Sequence, residues 1–212
     1  MNVQPFPSGP FETNAYVLAC EHTGECAFVD PAPDSFQTLV QFTEENKLHP
    51  KMIFLTHSHW DHIADTAVLK NKFKIPVMIH PLDSGNLEQP GTDQLPCWIS
   101  IHPVHPDFLL QEGEKLLVGK HTFEVIHTPG HTPGSICFYC KDSNILVSGD
   151  TLFKGTIGNL SFPTSQPKLM WNSLDKLAKL PSATRVFPGH GPSTTIGEEA
   201  WLPKAKAMFG NS

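Results

Sequence analysis

A stretch of seven residues, Thr56-His57-Ser58-His59-Trp60-Asp61-His62, restricts what this chain can fold into more than any other. It crowds four side chains able to hold a metal into six positions, directly behind the apolar run Met52-Ile53-Phe54-Leu55. That run reads as a buried strand, and open α/β sheets keep their chemistry in the turn after a strand. Along an extended exit, His57 and His59 point to one side because they are two apart. A helix expected over 61–72 brings Asp61 and His62 from a second direction. One segment thus offers imidazoles to one metal ion and a carboxylate with an imidazole to a neighbouring ion. Neutral imidazole and carboxylate oxygen suit zinc, iron or manganese rather than calcium or magnesium. The ordinary alternative is a solvated, histidine-rich turn, and four such groups at this spacing weigh against it.

Three later segments repeat the same grammar, a short apolar strand followed by one metal-capable side chain in a tight turn. They are Val125-Ile126-His127-Thr128-Pro129-Gly130-His131, Ile145-Leu146-Val147-Ser148-Gly149-Asp150 and Val186-Phe187-Pro188-Gly189-His190. Each sets its candidate ligand, His131, Asp150 or His190, at the end of a rigid element. The glycine before each candidate permits a close backbone approach or a positive φ. Asp30, in Phe28-Val29-Asp30-Pro31, also ends a strand. It reads either as a turn-forming Asp-Pro or as an acceptor that orients a ligand imidazole. His22, His49, His102, His105 and His121 read as solvated, His127 stays outside the ligand set, and His80, at a strand end, reads either as facing the pocket or as structural.

The surrounding pattern alternates short strands and helices. Strands are expected at 14–20, 26–29, 52–55, 77–79, 123–127, 135–139, 145–147 and 185–187. Helices are expected at 35–47, 61–72 and 167–180, with a last one from Gly197 behind a Thr195/Glu198 capping box. Between His80 and Asp107 periodicity is lost and prolines recur, so an irregular stretch bordering the substrate pocket is expected. Cys137 and Cys140 have CxxC spacing but lie on a strand, where positions three apart face opposite ways. Five cysteines without a scaffold pattern read as reduced core thiols in a cytoplasmic protein. A net charge of −6 weighs against a nucleic-acid partner. No apolar run approaches the ~20 residues of a membrane span. The N-terminus lacks the basic and apolar regions of a secretory signal.

The ordered set His57-Ser58-His59-Trp60-Asp61-His62, Thr128-Pro129-Gly130-His131, Gly149-Asp150-Thr151 and Pro188-Gly189-His190-Gly191 resembles the metallo-β-lactamase-fold hydrolases. Within them it is most similar to the glyoxalase II (hydroxyacylglutathione hydrolase) branch. The resemblance implies an α+β fold, an αββα sandwich of two mixed β-sheets with helices on the outer faces. It implies two divalent metal ions, zinc first and iron or manganese as alternatives, at one edge between the sheets. His57, His59 and His131 would hold one ion, Asp61, His62 and His190 the other, with Asp150 bridging. A bridging aspartate points away from antibiotic hydrolysis, because zinc β-lactamases commonly carry a cysteine or no carboxylate there.

Residues 1–212 are expected to form one domain without the helical domain that completes the glutathione site of full glyoxalase II enzymes, since only 22 residues follow His190 (212 − 190). The branch tends to place Lys or Arg where this chain has Asn159, with Lys154 as a substitute charge. The expected reaction is thioester hydrolysis by a metal-shared hydroxide, with Asp61 and Asp150 essential. No strong general acid accompanies the motifs, which favours a leaving group that departs unprotonated, such as a thiolate. The expected partner is a small-molecule thioester, and no oligomeric state follows from the sequence. The alternatives are a lactonase or other ester or amide hydrolase, and an iron-dependent persulfide dioxygenase. A tRNA-processing phosphodiesterase shares the first motif but needs an RNA-clamping arm.

Overall fold

The computed structural model describes residues 1–210. Two six-stranded sheets face each other. The first runs in spatial order β1 (Asn2–Ser8), β2 (Thr13–Ala19), β3 (Glu25–Val29), β4 (His49–Phe54), β5 (Val77–Ile79) and β6 (Phe108–Leu109). The second runs from β7 (Lys115–Val118) through β8 (His121–His127), β9 (Ile136–Cys140), β10 (Ile145–Gly149) and β11 (Arg185–Pro188) to β12 (Thr194–Thr195). Both sheets are mixed: β3 pairs β4 in parallel, and β10 pairs β11 in parallel, inside otherwise partly antiparallel sheets. The first sheet is covered by α1 (Phe36–Glu45), α2 (Trp60–Ile63) and α3 (Thr66–Phe73), and the second by α5 (Pro167–Leu177). Two further helices, α4 (Pro81–Glu88) and α6 (Ala205–Phe209), complete the set. The expected four-layer αββα sandwich is therefore present.

Side-chain alternation builds the layers. Along β2, Tyr16 and Leu18 face the second sheet while Ala15, Val17 and Ala19 face the helices. Every β2 residue is buried, which is why the strand reads as a continuous apolar run rather than a half-polar one. Between the sheets Phe54 stacks on Phe138 at 4.7 Å and meets Phe123 edge-on at 6.3 Å. On the far side, Met170, Leu174 and Leu177 of α5 close over Cys137, Tyr139 and Leu146. Cys137 thus points outward and Cys140 inward, as strand geometry requires. Cys97 is exposed rather than a core thiol.

Local expectations fail where side chains take backbone hydrogen bonds elsewhere. The helix expected over 61–72 is broken into α2 and α3 at Asp65. That residue donates its N–H to Pro31 O at 3.0 Å and accepts Phe36 N at 2.8 Å on its carboxylate, starting α1 instead. Thr195 and Glu198 do exchange reciprocal bonds of 3.1 and 3.2 Å, yet no helix follows directly. Gly197 N donates to Ser182 O at 2.9 Å, and the chain reaches α6 only after a 3₁₀ turn at Leu202–Lys204. The stretch after His80 is not wholly irregular. His80 caps α4 by accepting Leu82 N at 3.2 Å, with Pro81 at the first helical position where its missing N–H costs nothing.

No helix among the described residues is long and apolar enough to cross a membrane. Truncating Phe138 to Ala removes the stacked partner of Phe54 from a fully buried site. The expected loss is about 3–5 kcal/mol of unfolding free energy. Denaturant titration of the metal-free protein measures it, and a loss below about 1 kcal/mol would show that the inter-sheet core is organised differently.

Candidate metal centre

The parallel pairs β3/β4 and β10/β11 end at the same edge of the sandwich, and their exits carry every candidate ligand except His131, which sits in the loop joining β8 to β9. Two backbone bonds hold neighbouring exits together: Asp30 N to Phe54 O at 3.0 Å and Gly189 N to Gly149 O at 2.8 Å. A third crosses between the sheets, from Ile136 N to Thr56 O at 2.9 Å. Two compact donor groups result. His57, His59 and His131 place ligand atoms within 4.8 Å of one another, and so do Asp61, His62 and His190. Asp150 stands between them. Its Oδ1 lies 3.4 Å from His62 Nε2, and its Oδ2 lies 3.4 Å from His131 Nε2 and 3.5 Å from His190 Nε2. All seven sequence-predicted ligands therefore meet at one place.

The polar atoms left without partners test whether metal ions fit. Nε2 of His57, His59, His62 and His131 and Oδ1 of Asp150 are buried and make no hydrogen bond. Burying so many unsatisfied polar atoms costs roughly 1–3 kcal/mol apiece, which cations would offset. The opposite ring nitrogens of three of these histidines are occupied. His57 Nδ1 meets Thr56 Oγ1 at 3.0 Å, His62 Nδ1 meets Asp30 Oδ2 at 3.0 Å, and His131 Nδ1 meets the Asn159 carbonyl at 2.8 Å. His190 Nδ1 meets the Phe11 carbonyl at 3.1 Å. Such bonds hold the tautomer that leaves Nε2 free as a ligand. The donor set of imidazoles and carboxylates suits a pair of transition-metal ions.

Comparison with known proteins agrees with this geometry. The family model described as the metallo-beta-lactamase superfamily matches residues 8–190. This chain belongs to that superfamily. A structure described as TTHA1623 in a di-iron-bound form is 39% identical, with a TM-score of 0.82 over 93% of this chain and 97% of that one. One described as the BLEG-1 B3 metallo-beta-lactamase is 36% identical, with a TM-score of 0.85 over 95% and 100% of the two chains. The hydroxyacylglutathione hydrolase GloC of Haemophilus influenzae is 33% identical over 94% of this chain and 95% of its own. The chain is accordingly a metallo-hydrolase of the superfamily, with a His/Asp cluster suited to two metal ions.

Other residues hold this metallo-hydrolase cluster in shape. Asp30, at φ 47°, accepts Thr56 N at 2.7 Å and Thr56 Oγ1 at 2.6 Å in addition to His62 Nδ1. Thr13 Oγ1 donates to Asp61 Oδ2 at 2.7 Å. A Cβ on Gly189 would collide with Asp150 Oδ1 and His62 Cε1, so only glycine lets β11 approach this closely. Gly149 combines φ 49° with contact against Thr56, so a side chain there would be both strained and crowded.

Sequence reasoning missed Asp83. Its buried carboxylate accepts Ser58 N at 2.9 Å, Thr132 Oγ1 at 2.8 Å and Gly134 N at 2.6 Å, tying the first histidine loop to the His131 turn. It also missed the wall of a cleft of about 460 Å³ over the cluster, lined by Phe11, Trp60, Leu95, Pro96, Trp98 and Phe162. Leu95, Pro96 and Trp98 do come from the proline-rich stretch expected to border the pocket. Lys154 is exposed and outside this lining, and the Asn159 side chain accepts Ser161 N rather than facing the cleft. His22, His49, His102 and His105 are exposed. His121 is half-buried against Ser143 Oγ at 3.1 Å, and His80 stacks on His127 at 4.1 Å.

Electrostatics divide the two donor groups. Burial, reinforced by neighbouring imidazoles, holds His57 and His59 far below the ordinary histidine value, and burial also lowers His131. Burial acts downward on His62 and His190 too, but the Asp61 and Asp150 carboxylates outweigh it. They raise His62, with help from Asp30, and push His190 up to about 11. Burial alone would raise Asp61 and Asp150, yet the facing histidines keep both below the usual carboxylate range. Protonation is thus disfavoured in the first group and favoured at His62 and His190 in the second.

A metal ion needs the neutral ring, so loading the second group must expel protons. Calorimetric titration in buffers of different ionisation enthalpy is expected to show more protons released on loading the Asp61/His62/His190 group than on loading the His57/His59/His131 group. Affinity at the second group rises with pH until His62 and His190 have lost their protons. Equal proton release by both groups contradicts this division.

Proposed function

We propose that this metallo-hydrolase cleaves a small acyl thioester, of the hydroxyacyl-glutathione type suggested by its likeness to GloC. One observation carries the reading. Every titratable side chain lining the cleft, His59, Asp61, His131, Asp150 and His190, belongs to the metal cluster. Among the described residues no lysine, tyrosine or glutamate lines it, so no spare acid waits there to protonate a leaving group. A thiolate, whose thiol has a pKa of about 8.5, leaves without that help, whereas an alkoxide or amine does not.

Two divalent ions, zinc in our reading, would be held by the two donor groups with Asp150 shared, and would supply hydroxide at neutral pH and polarise the acyl carbonyl. The protein's own groups do the positioning. Thr13 fixes one oxygen of Asp61, so that this anionic carboxylate can accept a hydrogen bond from the attacking water and aim its lone pair. The water oxygen bonds to the acyl carbon and the C–S bond breaks with the electron pair on sulfur. Of the water's two protons one goes to solvent and the other ends on the departed thiolate, so the products are a carboxylate and a thiol. Asp30 keeps His62 in place during the reaction by holding its Nδ1–H.

Likeness to the BLEG-1 B3 metallo-beta-lactamase favours a second reading, hydrolysis of a β-lactam or a related ring ester. Steady-state kinetics with lactoylglutathione, a β-lactam chromophore and an acyl-homoserine lactone, on protein of measured metal content, separate the two. The expected result is kcat/KM for the thioester exceeding the others by at least about a hundredfold. Asp150→Asn and Asp61→Asn should each lower kcat by roughly a thousandfold or more. Lactam or lactone turnover that matches the thioester, or full activity in either variant, overturns the thioester reading.

A further inference from the structure

We propose that the wall above the metal centre selects substrates by an apolar, preferably aromatic, acyl group and draws no recognition from charges on the carrier thiol. This rests on the thioester reading and narrows it to thioesters with an apolar acyl group, in place of the hydroxyacyl and glutathione parts of that type. Six residues of the cleft lining lie outside the cluster, and all are apolar: Phe11, Trp60, Leu95, Pro96, Trp98 and Phe162. Phe11, Trp60 and Trp98 form a closed ring trio, with centroids 5.3 Å apart for Phe11–Trp60, 5.8 Å for Phe11–Trp98 and 5.1 Å for Trp60–Trp98. Trp60 is buried, but Phe11 is 50% exposed and Trp98 is 63% exposed. Two large rings at the mouth of a cleft remain in water until something apolar covers them.

The wall also reaches the reacting centre. Phe162 packs edge-on against His59 at 5.3 Å and against His131 at 5.6 Å, and Trp60 adjoins Asp61 in the chain. The acyl substituent and the sulfur are both bonded to the carbon under attack; the charged groups of a carrier find no cationic partner in the lining and run out to solvent, which leaves the acyl substituent against these rings. Besides the cluster, the side chains lining that space among the described residues are aromatic or aliphatic, with two indole N–H groups as their polar atoms, a setting that favours an apolar group over a polar one. No lysine or arginine lines the cleft, so the carboxylates of a carrier such as glutathione meet no cationic partner in it. A carrier of that kind is accepted only with its charged groups left in solvent.

The test compares acetyl and phenylacetyl thioesters, each made with neutral N-acetylcysteamine and with glutathione, on the metal-loaded protein and its Trp98→Ala variant. The expected kcat/KM rises at least about tenfold from acetyl to phenylacetyl on both carriers. The two carriers differ by less than about threefold, and the acyl ratio falls toward one in Trp98→Ala. An acyl ratio near one in the unaltered protein overturns the proposal, as does a tenfold preference for glutathione or an unchanged ratio in the variant. Calorimetric binding of phenethyl and ethyl thioethers of N-acetylcysteamine reads the wall without any bond cleavage. If no thioester is turned over, the hydrolytic reading fails. A tenfold tighter phenethyl thioether then still supports the apolar selectivity, and equal binding removes it.

Discussion

Asp150 lies with one carboxylate oxygen toward His62 and the other toward His131 and His190, and the rest of the edge is arranged so that it can. A single carboxylate between two imidazole-rich groups sets how far apart two cations can sit. It requires β10 and β11 to approach more closely than side chains allow, which is why Gly149 and Gly189 precede their ligands. The parallel pairing of β10 with β11, and of β3 with β4 opposite, brings strand ends to this edge, where they meet the β8–β9 hairpin loop that carries His131. Short strands with a packed core at 4.7 Å ring spacing supply the rigidity behind it.

Around that carboxylate, buried acids do most of the orienting. Asp30 collects three donors from Thr56 and His62, and Asp83 collects three from Ser58, Thr132 and Gly134. Asp30 therefore ties β3 to the first histidine loop, while Asp83 ties that loop to the His131 turn on the second sheet. Charge-assisted bonds of this kind are stronger than neutral ones, and they fix ring orientation where packing alone would not. Burial raises Asp83 while its donors pull it back, so its ionised form depends on those three contacts remaining intact.

Much of the centre was legible in the chain because its grammar is local. Four ligands sit within one turn of sequence, and each of the other three follows a strand and a glycine, so spacing alone carries the signal. The layered fold was legible for the same reason, from short apolar runs alternating with amphipathic ones. What stayed hidden depends on distant partners. Asp83 looks like any helix-start acid until Thr132 and Gly134 arrive from 49 and 51 residues away. Asn159 contributes a carbonyl, which no side-chain pattern reveals. Strand β1 was masked by Pro5 and Pro7, residues a sheet tolerates at its edge, which is where β1 lies. The apolar wall joins Phe11, Trp98 and Phe162 from three separate loops, and only the folded chain puts them over the cluster.

Anomalous diffraction from crystals of the metal-loaded protein, recorded at the zinc and iron absorption edges, tests the shared-carboxylate centre most directly. Two peaks are expected about 3.5–4 Å apart, one enclosed by His57, His59 and His131 and the other by Asp61, His62 and His190, with an Asp150 oxygen on each. A single peak, or two peaks with Asp150 turned away from both, contradicts it.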